Sequence, residues 1–240
     1  VTEVSTVSTA QKIPLTDGSG NLTKISLANL KAAMLDGLNL NAMEDGIFIM
    51  FHRNSDNYPL MVKPHKWTSY QNSGEIAEGV VVVEGGKMLV VAPTEASSSG
   101  LYWSSANVSC GGYTTSDREL AMADWTGRAS TAQQVTHNEA SNVAYAPGFC
   151  HAYSRVNANG QGLTAGRWWL PSLGELFMIY ANMTKINYAL GLINGATPLA
   201  ETWYWSSTEY SATGAWGLGL DYGNASIYTK AANRDRVRAV

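Results

Sequence analysis

The stretch Gly166-Arg167-Trp168-Trp169-Leu170-Pro171-Ser172-Leu173-Gly174-Glu175-Leu176 opens the clearest helix in the chain. Pro171 stands just ahead of the start, Ser172 is a natural N-cap, and Glu175 three residues later completes a capping box. From there Leu173, Leu176, Ile179, Tyr180, Met183, Ile186, Asn187 and Leu190 form a stripe near the 3.6-residue period. That stripe predicts one helix over 172 to about 192. Downstream the period changes to two. In Trp216-Gly217-Leu218-Gly219-Leu220-Asp221, the apolar Trp216, Leu218 and Leu220 fall on one side of a strand, and Gly217, Gly219 and Asp221 fall on the other. The first side is core, and the second carries residues that no core requires. Tyr222-Gly223-Asn224 then turns the chain, 225–229 returns with Ser226 and Tyr228 on one side, and 236–240 alternates again.

Upstream of the helix the pattern is also mixed. Residues 47–51, 79–83 and 88–92 read as strands, the last two joined across Glu84-Gly85-Gly86-Lys87 as a hairpin. A Ser/Gly/Thr-rich stretch over 92–123 reads as loops and short strands, and a helix follows from Thr126 or Ser130 through His137. Trp168, Trp169, Trp203, Trp205 and Trp216 alternate with apolar residues and are expected in the core, where each buries about 200 Å². Residues 1–45 differ from the rest: they open Ser/Thr-rich and contain no Trp or Tyr. They have one turn signal at 17–21 and a short amphipathic helix capped by Ser26, ending near Gly37. This gives an α+β chain of two parts, an N-terminal arm over 1–45 and a head over 46–240.

Composition narrows the function classes. The chain has 240 residues, with 16 Lys+Arg against 19 Asp+Glu and a net charge of −3, so the basic excess needed to neutralise phosphates is missing and nucleic acid is not an expected partner. No apolar run approaches the ~20 residues that span a bilayer, so no membrane insertion is expected. Folding removes roughly 70–75% of the surface of a chain this long, so its two cysteines are not needed as the main staple. Charged residues make up only 15% of the chain, against 12 Tyr, 8 Trp and 23 Gly. A neutral surface rich in Ser, Thr, Asn and Tyr suits an exposed particle or an extracellular protein, and recognition surfaces are made from the same residues.

Four words of the sequence, GRWWLPSLGEL (166–176), YWSSTEY (204–210), the AW pair (215–216) and RVRAV (236–240), occur in an order and spacing similar to those of C-type lectin-like domains. The branch they resemble is found in gut-bacterial surface proteins and phage tail proteins. The resemblance implies two helices on a small, twisted, mostly antiparallel sheet. It sharpens toward the variable proteins of diversity-generating retroelements, the group that includes phage major tropism determinants, in which adenine-directed mutagenesis diversifies a ligand-binding face. The residue mixture such mutagenesis produces occurs here at Ser211, Thr213, Gly214, Gly217, Gly219, Asp221, Tyr222, Ser226, Tyr228, Thr229, Ala231, Ala232, Asn233 and Asp235. The stretch AQKIPLTDGSGNLTKISLANL (10–30) is similar to the starts of phage tail-fibre subunits, where such a segment mounts or trimerises the head.

Together these resemblances imply a non-enzymatic receptor-binding protein of a phage tail tip, located on the virion or at a cell surface. Its partners would be a host surface protein or glycan, other tail proteins and two further copies of itself. A bacterial cell-surface or pilus-tip subunit with the same head is the alternative, and a formylglycine-generating-type enzyme a third reading. The calcium-dependent sugar binders of this fold carry Glu-Pro-Asn or Gln-Pro-Asp followed by Trp-Asn-Asp. Neither triplet is present, and Glu201, Glu209, Asp221 and Asp235 are scattered, so no metal or other cofactor is expected. His52, His65, His137 and His151 show no ligand spacing with Cys110 or Cys150. A disulfide between Cys110 and Cys150 would add on the order of 4 kcal/mol, and two buried thiols are the other outcome. Lys230, Arg234, Arg236 and Arg238 read as a locally positive, solvated face.

Overall fold

The computed structural model describes residues 44–240 and, ahead of them, only the strands β1 (Lys12–Thr16) and β2 (Leu22–Ser26). These two pair antiparallel, Lys12 opposite Ser26. The helix expected from Ser26 to Gly37 and the turn at 17–21 lie outside the described residues. The chain divides into two compact units, Val1–Glu44 with Gly85–Lys87 and Asp45–Glu84 with Met88–Val240.

The larger unit mixes helices with small antiparallel sheets. It begins with β3 (Gly46–His52), β4 (Pro59–Val62), α1 (Pro64–Asn72), β5 (Gly79–Glu84) and β6 (Lys87–Val91), whose strands order as β4-β3-β5-β6. Ile47, Ile49 and Phe51 point inward from β3, as its alternation requires. After a long loop come α2 (Arg118–Met122), α3 (Gly127–Gln134), α4 (Asn138–Ser141), α5 (Ala146–Ala152) and the short pair β7 (Arg155–Val156) and β8 (Gly162–Leu163). The chain closes with α6 (Leu173–Ala181), α7 (Met183–Leu190) and the strands β9 (Trp203–Glu209), β10 (Gly214–Gly219) and β11 (Asn224–Thr229), an antiparallel sheet with β10 in the middle.

The entry to α6 is built as its sequence requires. Glu175 accepts from the Ser172 N–H at 2.8 Å in a capping box, and the Ser172 hydroxyl donates to the Asp124 carbonyl at 2.6 Å. The single helix predicted over 172–192 is, however, two. At Asn182 the backbone leaves the helical region, with φ −107° and ψ 7°. Its side-chain amide donates to the Met178 carbonyl at 3.0 Å and to Glu84 Oε2 at 2.6 Å, the local competition with the backbone ladder that disfavours asparagine inside helices.

Two apolar clusters lie on opposite sides of the β9–β11 sheet. One joins Leu173, Leu176 and Ile179 of α6 and Ile186 of α7 to Tyr204, Trp216, Leu218, Leu220 and the β3–β5 side chains. The other gathers Trp103, Cys110, Cys150, Trp168, Trp205, Ala215, Val237 and Ala239. The sheet is therefore covered on both faces over much of its length. This corrects the expectation that one face is core and the other free. A shift of register reinforces the arrangement: Ala215 lies opposite Glu209 and Gly217 opposite Trp205, which leaves Ser206, Ser207 and Thr208 in a bulge. The backbone groups it frees from the ladder are bound elsewhere. The Ser206 carbonyl accepts from the Trp103 indole at 2.9 Å and the Ser207 carbonyl from the Gln134 amide at 2.7 Å. Thr208 donates to Asp124 at 2.7 Å and accepts from the Leu173 N–H at 2.9 Å, tying the bulge to the start of α6.

The expected solvated cationic face is absent among the described residues. Lys230 is buried against Glu209, and Arg238 is buried and donates to the carbonyls of Ala92, Thr197 and Pro198. Arg236 pairs with Glu95, and Arg234 is exposed with its guanidinium 4.4 Å from the Tyr102 ring centre. Residues 236–240 stay extended, but by bonding to several partners rather than as an alternating strand: Arg236 to Trp203 and Trp205, Val240 to Trp169, and Ala239 to Ala92. Satisfying the backbone on all sides removes the solvent face that the alternation implied. No helix among the described residues is long and apolar enough to cross a membrane.

Candidate functional site

The pairing of β10 with β11 sets Gly217 opposite Ser226, Ala215 opposite Tyr228 and Gly219 opposite Asn224, so these side chains share one face of the sheet. A side chain at Gly217 would lie 3.5 Å from the Tyr228 ring and 3.7 Å from Asp235 Oδ2; one at Gly219 would lie 2.7 Å from Asp221 Oδ1 and 3.4 Å from the Trp203 ring. The two glycines form a floor, and the neighbouring groups fold over it. Gly214, Gly217 and Gly219 are accordingly buried, which corrects their assignment as contact residues: their role is to leave room.

Around this floor the structure brings together Asp221, Ser226, Tyr228 and Asp235. Tyr228 packs edge-on against Trp203, with ring centres 5.1 Å apart, and against Trp205 at 6.1 Å. Tyr222, 79% exposed, projects from the β10–β11 turn. That turn is held where Gly223, at φ +69°, sits too close to the Tyr180 ring of α6 to carry a side chain. The remaining expected residues gather elsewhere. Thr213 accepts from the Lys230 N–H, and Asn233 bonds Thr229 through both its backbone and its side chain. Ser211, Thr213, Thr229, Ala231, Ala232 and Asn233 thus group at the other end of the ribbon. Thr229, opposite Gly214, also points to the reverse face from Tyr228. The 14 positions therefore form two patches, because alternation sends neighbours on β11 to opposite sides.

Trp203, which the sequence assigned to the core, is half-buried and lines the first patch. The signal was present in Trp203-Tyr204-Trp205: with a period of two, Trp203 and Gly219 face the same way. Beside it a polar cleft of about 90 Å³ runs between Ser98-Ser99-Gly100 and Asp235.

Asp235 is the electrostatic anomaly of this patch. Its Oδ2 is buried without a hydrogen-bond partner among the described residues, and burial pushes the carboxyl up from 3.8 to about 6. Burial also raises the Tyr228 hydroxyl, with Asp235 adding to the effect. The folded chain holds the Asp235 proton more tightly than the unfolded one, so this group's contribution to stability is full below its unfolded value of 3.8 and is lost as pH rises through about 6. Asp235→Asn is expected to raise stability by about 1–2 kcal/mol near neutral pH, after allowing for screening at the exposed edge, and to leave it unchanged near pH 4. Urea unfolding at the two pH values measures this.

The described residues contain no group of three His, Cys, Asp or Glu side chains placed to hold a metal ion. Cys110 and Cys150 are both free and buried, which corrects the possible disulfide: Cys110 donates weakly to the Val108 carbonyl, and Cys150 is enclosed within α5. Burial, aided by Glu209, pushes the Cys110 thiol up to about 11 and lifts Cys150 well above the usual range, so neither is a thiolate near neutral pH. His52 Nδ1 lies 2.6 Å from the buried Glu78 carboxylate. No family model matches the chain, and no match was found among curated proteins or solved structures.

Proposed function

We propose that this chain is a non-enzymatic receptor-binding protein with a C-type lectin-like head, and that the face around Tyr222, Tyr228, Trp203 and Asp235 binds a ligand on a bacterial cell surface. The N-terminal arm mounts the head on a phage tail tip, in three copies that add avidity to a weak single-site contact. Diversification acts on the polar positions of this face and leaves the framework beneath untouched.

One observation carries the reading. An exposed tyrosine stands on a pinned turn, beside half-buried aromatics and small polar residues, on a sheet whose other face is committed to the core. Rigid aromatics supply contact area at low entropy cost, and small polar neighbours adapt to the partner. The four sequence words support the fold assignment, and the neutral composition supports an exposed location. The test is binding of the labelled full chain to a panel of intact bacterial strains. Tyr222→Ala is expected to lower retention on a binding strain at least about tenfold, with stability changed by no more than about 0.5 kcal/mol, the range for exposed sites away from special features. Retention unchanged by Tyr222→Ala would place the binding surface elsewhere.

A further inference from the structure

We propose that the cavity between the end of α1, the strand β7 and the turn after α7 binds a free α-amino acid with an apolar side chain, its carboxylate on Arg155 and its ammonium on Glu75. The cavity lies within the larger unit, shares no residue with the recognition face and stands independently of that reading.

Arg155 and Glu75 are the two charged residues lining this cavity, and among the described residues they form no ion pair with each other. The Arg155 Nε–H donates to the Ala77 carbonyl at 3.0 Å, which orients the guanidinium, and its two terminal nitrogens have no partner among the described residues. Glu75 accepts from the Asn54 N–H at 3.0 Å through Oε2, and its Oε1 has no hydrogen-bond partner among the described residues. Neighbouring charges are engaged elsewhere, Arg53 with Asp56 and Glu78 with His52. A ligand of one sign would match one of the two groups and be repelled by the other. A zwitterion matches both, and the guanidinium fork fits a carboxylate. Size and lining agree with this ligand. The cavity holds about 370 Å³, within the range of small-molecule sites, and Ile76, Val156 and the buried Ile193 give it an apolar wall for a side chain. Its walls are also tied together in the free chain. Gln71 Oε1 accepts from the Trp67 indole at 3.1 Å and from the Asn194 N–H at 2.9 Å, and its amide donates to the Leu192 carbonyl at 3.3 Å, joining α1 to the turn after α7. A site formed in advance loses less entropy when the ligand enters.

The test titrates the isotopically labelled full chain near neutral pH with leucine, with isocaproate, which lacks only the ammonium, and with isoamylamine, which lacks only the carboxylate. The methyl signals of Ile76, Val156 and Ile193 report binding. The expected result is a saturable shift with leucine, and binding of either derivative weaker by about tenfold, the loss of one charge-assisted contact. Arg155→Met should bind leucine no better than isoamylamine, and Glu75→Gln should bind it no better than isocaproate. Glu75→Gln keeps a side-chain oxygen for the Asn54 N–H, so its unfolding midpoint should stay that of the parent and its lost preference reads the site rather than the fold. Absence of a saturable shift up to about 100 mM leucine, either derivative binding as tightly as leucine, or a preference for leucine over isocaproate that survives Glu75→Gln would overturn the proposal.

Discussion

Glu209→Ala is expected to lower the unfolding free energy by about 3–5 kcal/mol, because it strands a charge where water cannot reach it. Lys230 is fully buried; its ammonium donates to Glu209 and, at 2.9 Å, to the Val108 carbonyl, and lies 4.5 Å from the centre of the Trp103 ring. Glu209 also accepts from the backbone N–H groups of Cys110 at 3.1 Å and Gly112 at 3.0 Å. Truncation therefore leaves an uncompensated ammonium and two donors without their acceptor. Glu209→Gln, which fills the same space and keeps one of the two acceptor oxygens but turns a donor toward the other N–H and loses the charge, should cost less than Glu209→Ala. The double replacement Glu209→Met with Lys230→Met should recover most of the loss, since a buried pair contributes little beyond what well-packed apolar side chains supply. Urea unfolding of the three variants measures the order, and a loss below about 1 kcal/mol for Glu209→Ala would mean that Lys230 finds water or another anion.

Trp205→Ala should cost about 3–5 kcal/mol and, unlike Tyr222→Ala, should remove binding and stability together. Trp205 is fully buried in the second cluster, donates its indole N–H to the Leu101 carbonyl at 2.9 Å, and meets Tyr228 edge-on. Removing the ring opens a cavity directly under the recognition face and leaves Tyr228 without its floor. Trp205→Phe keeps most of the packing and loses the hydrogen bond, an expected cost of about 1 kcal/mol plus that of a smaller cavity, with binding largely retained. Unfolding midpoints together with cell retention separate the two variants. A stable Trp205→Ala chain would mean that the second cluster does not hold the face up.

The features legible in the sequence are local and periodic. The Ser172–Glu175 cap, the strands over 47–51, 79–83 and 88–92, and the inward set Trp216, Leu218 and Leu220 all follow from spacing, because spacing alone decides which side chains share a face. What escaped reading depends on partners far along the chain. Asn182 breaks the long helix through Glu84, and Ser206, Ser207 and Thr208 form a bulge held by Trp103, Gln134 and Asp124. Lys230 and Arg238 look like solvent charges until Glu209 and the carbonyls at 92, 197 and 198 are brought to them. The candidate face was half legible for the same reason. Alternation placed Ser226 and Tyr228 together, but only the fold carries Asp235 over Gly217 and leaves Trp203 half in solvent.

The most direct test of the recognition face is hydroxyl-radical footprinting of the full chain, free and bound to a strain that retains it. Protection of Tyr222, Trp203 and Tyr228, with the exposed Leu120 and Val143 oxidised as in the free chain, is the result this account predicts. Protection of Leu120 or Val143, with Tyr222 still reactive, would contradict it.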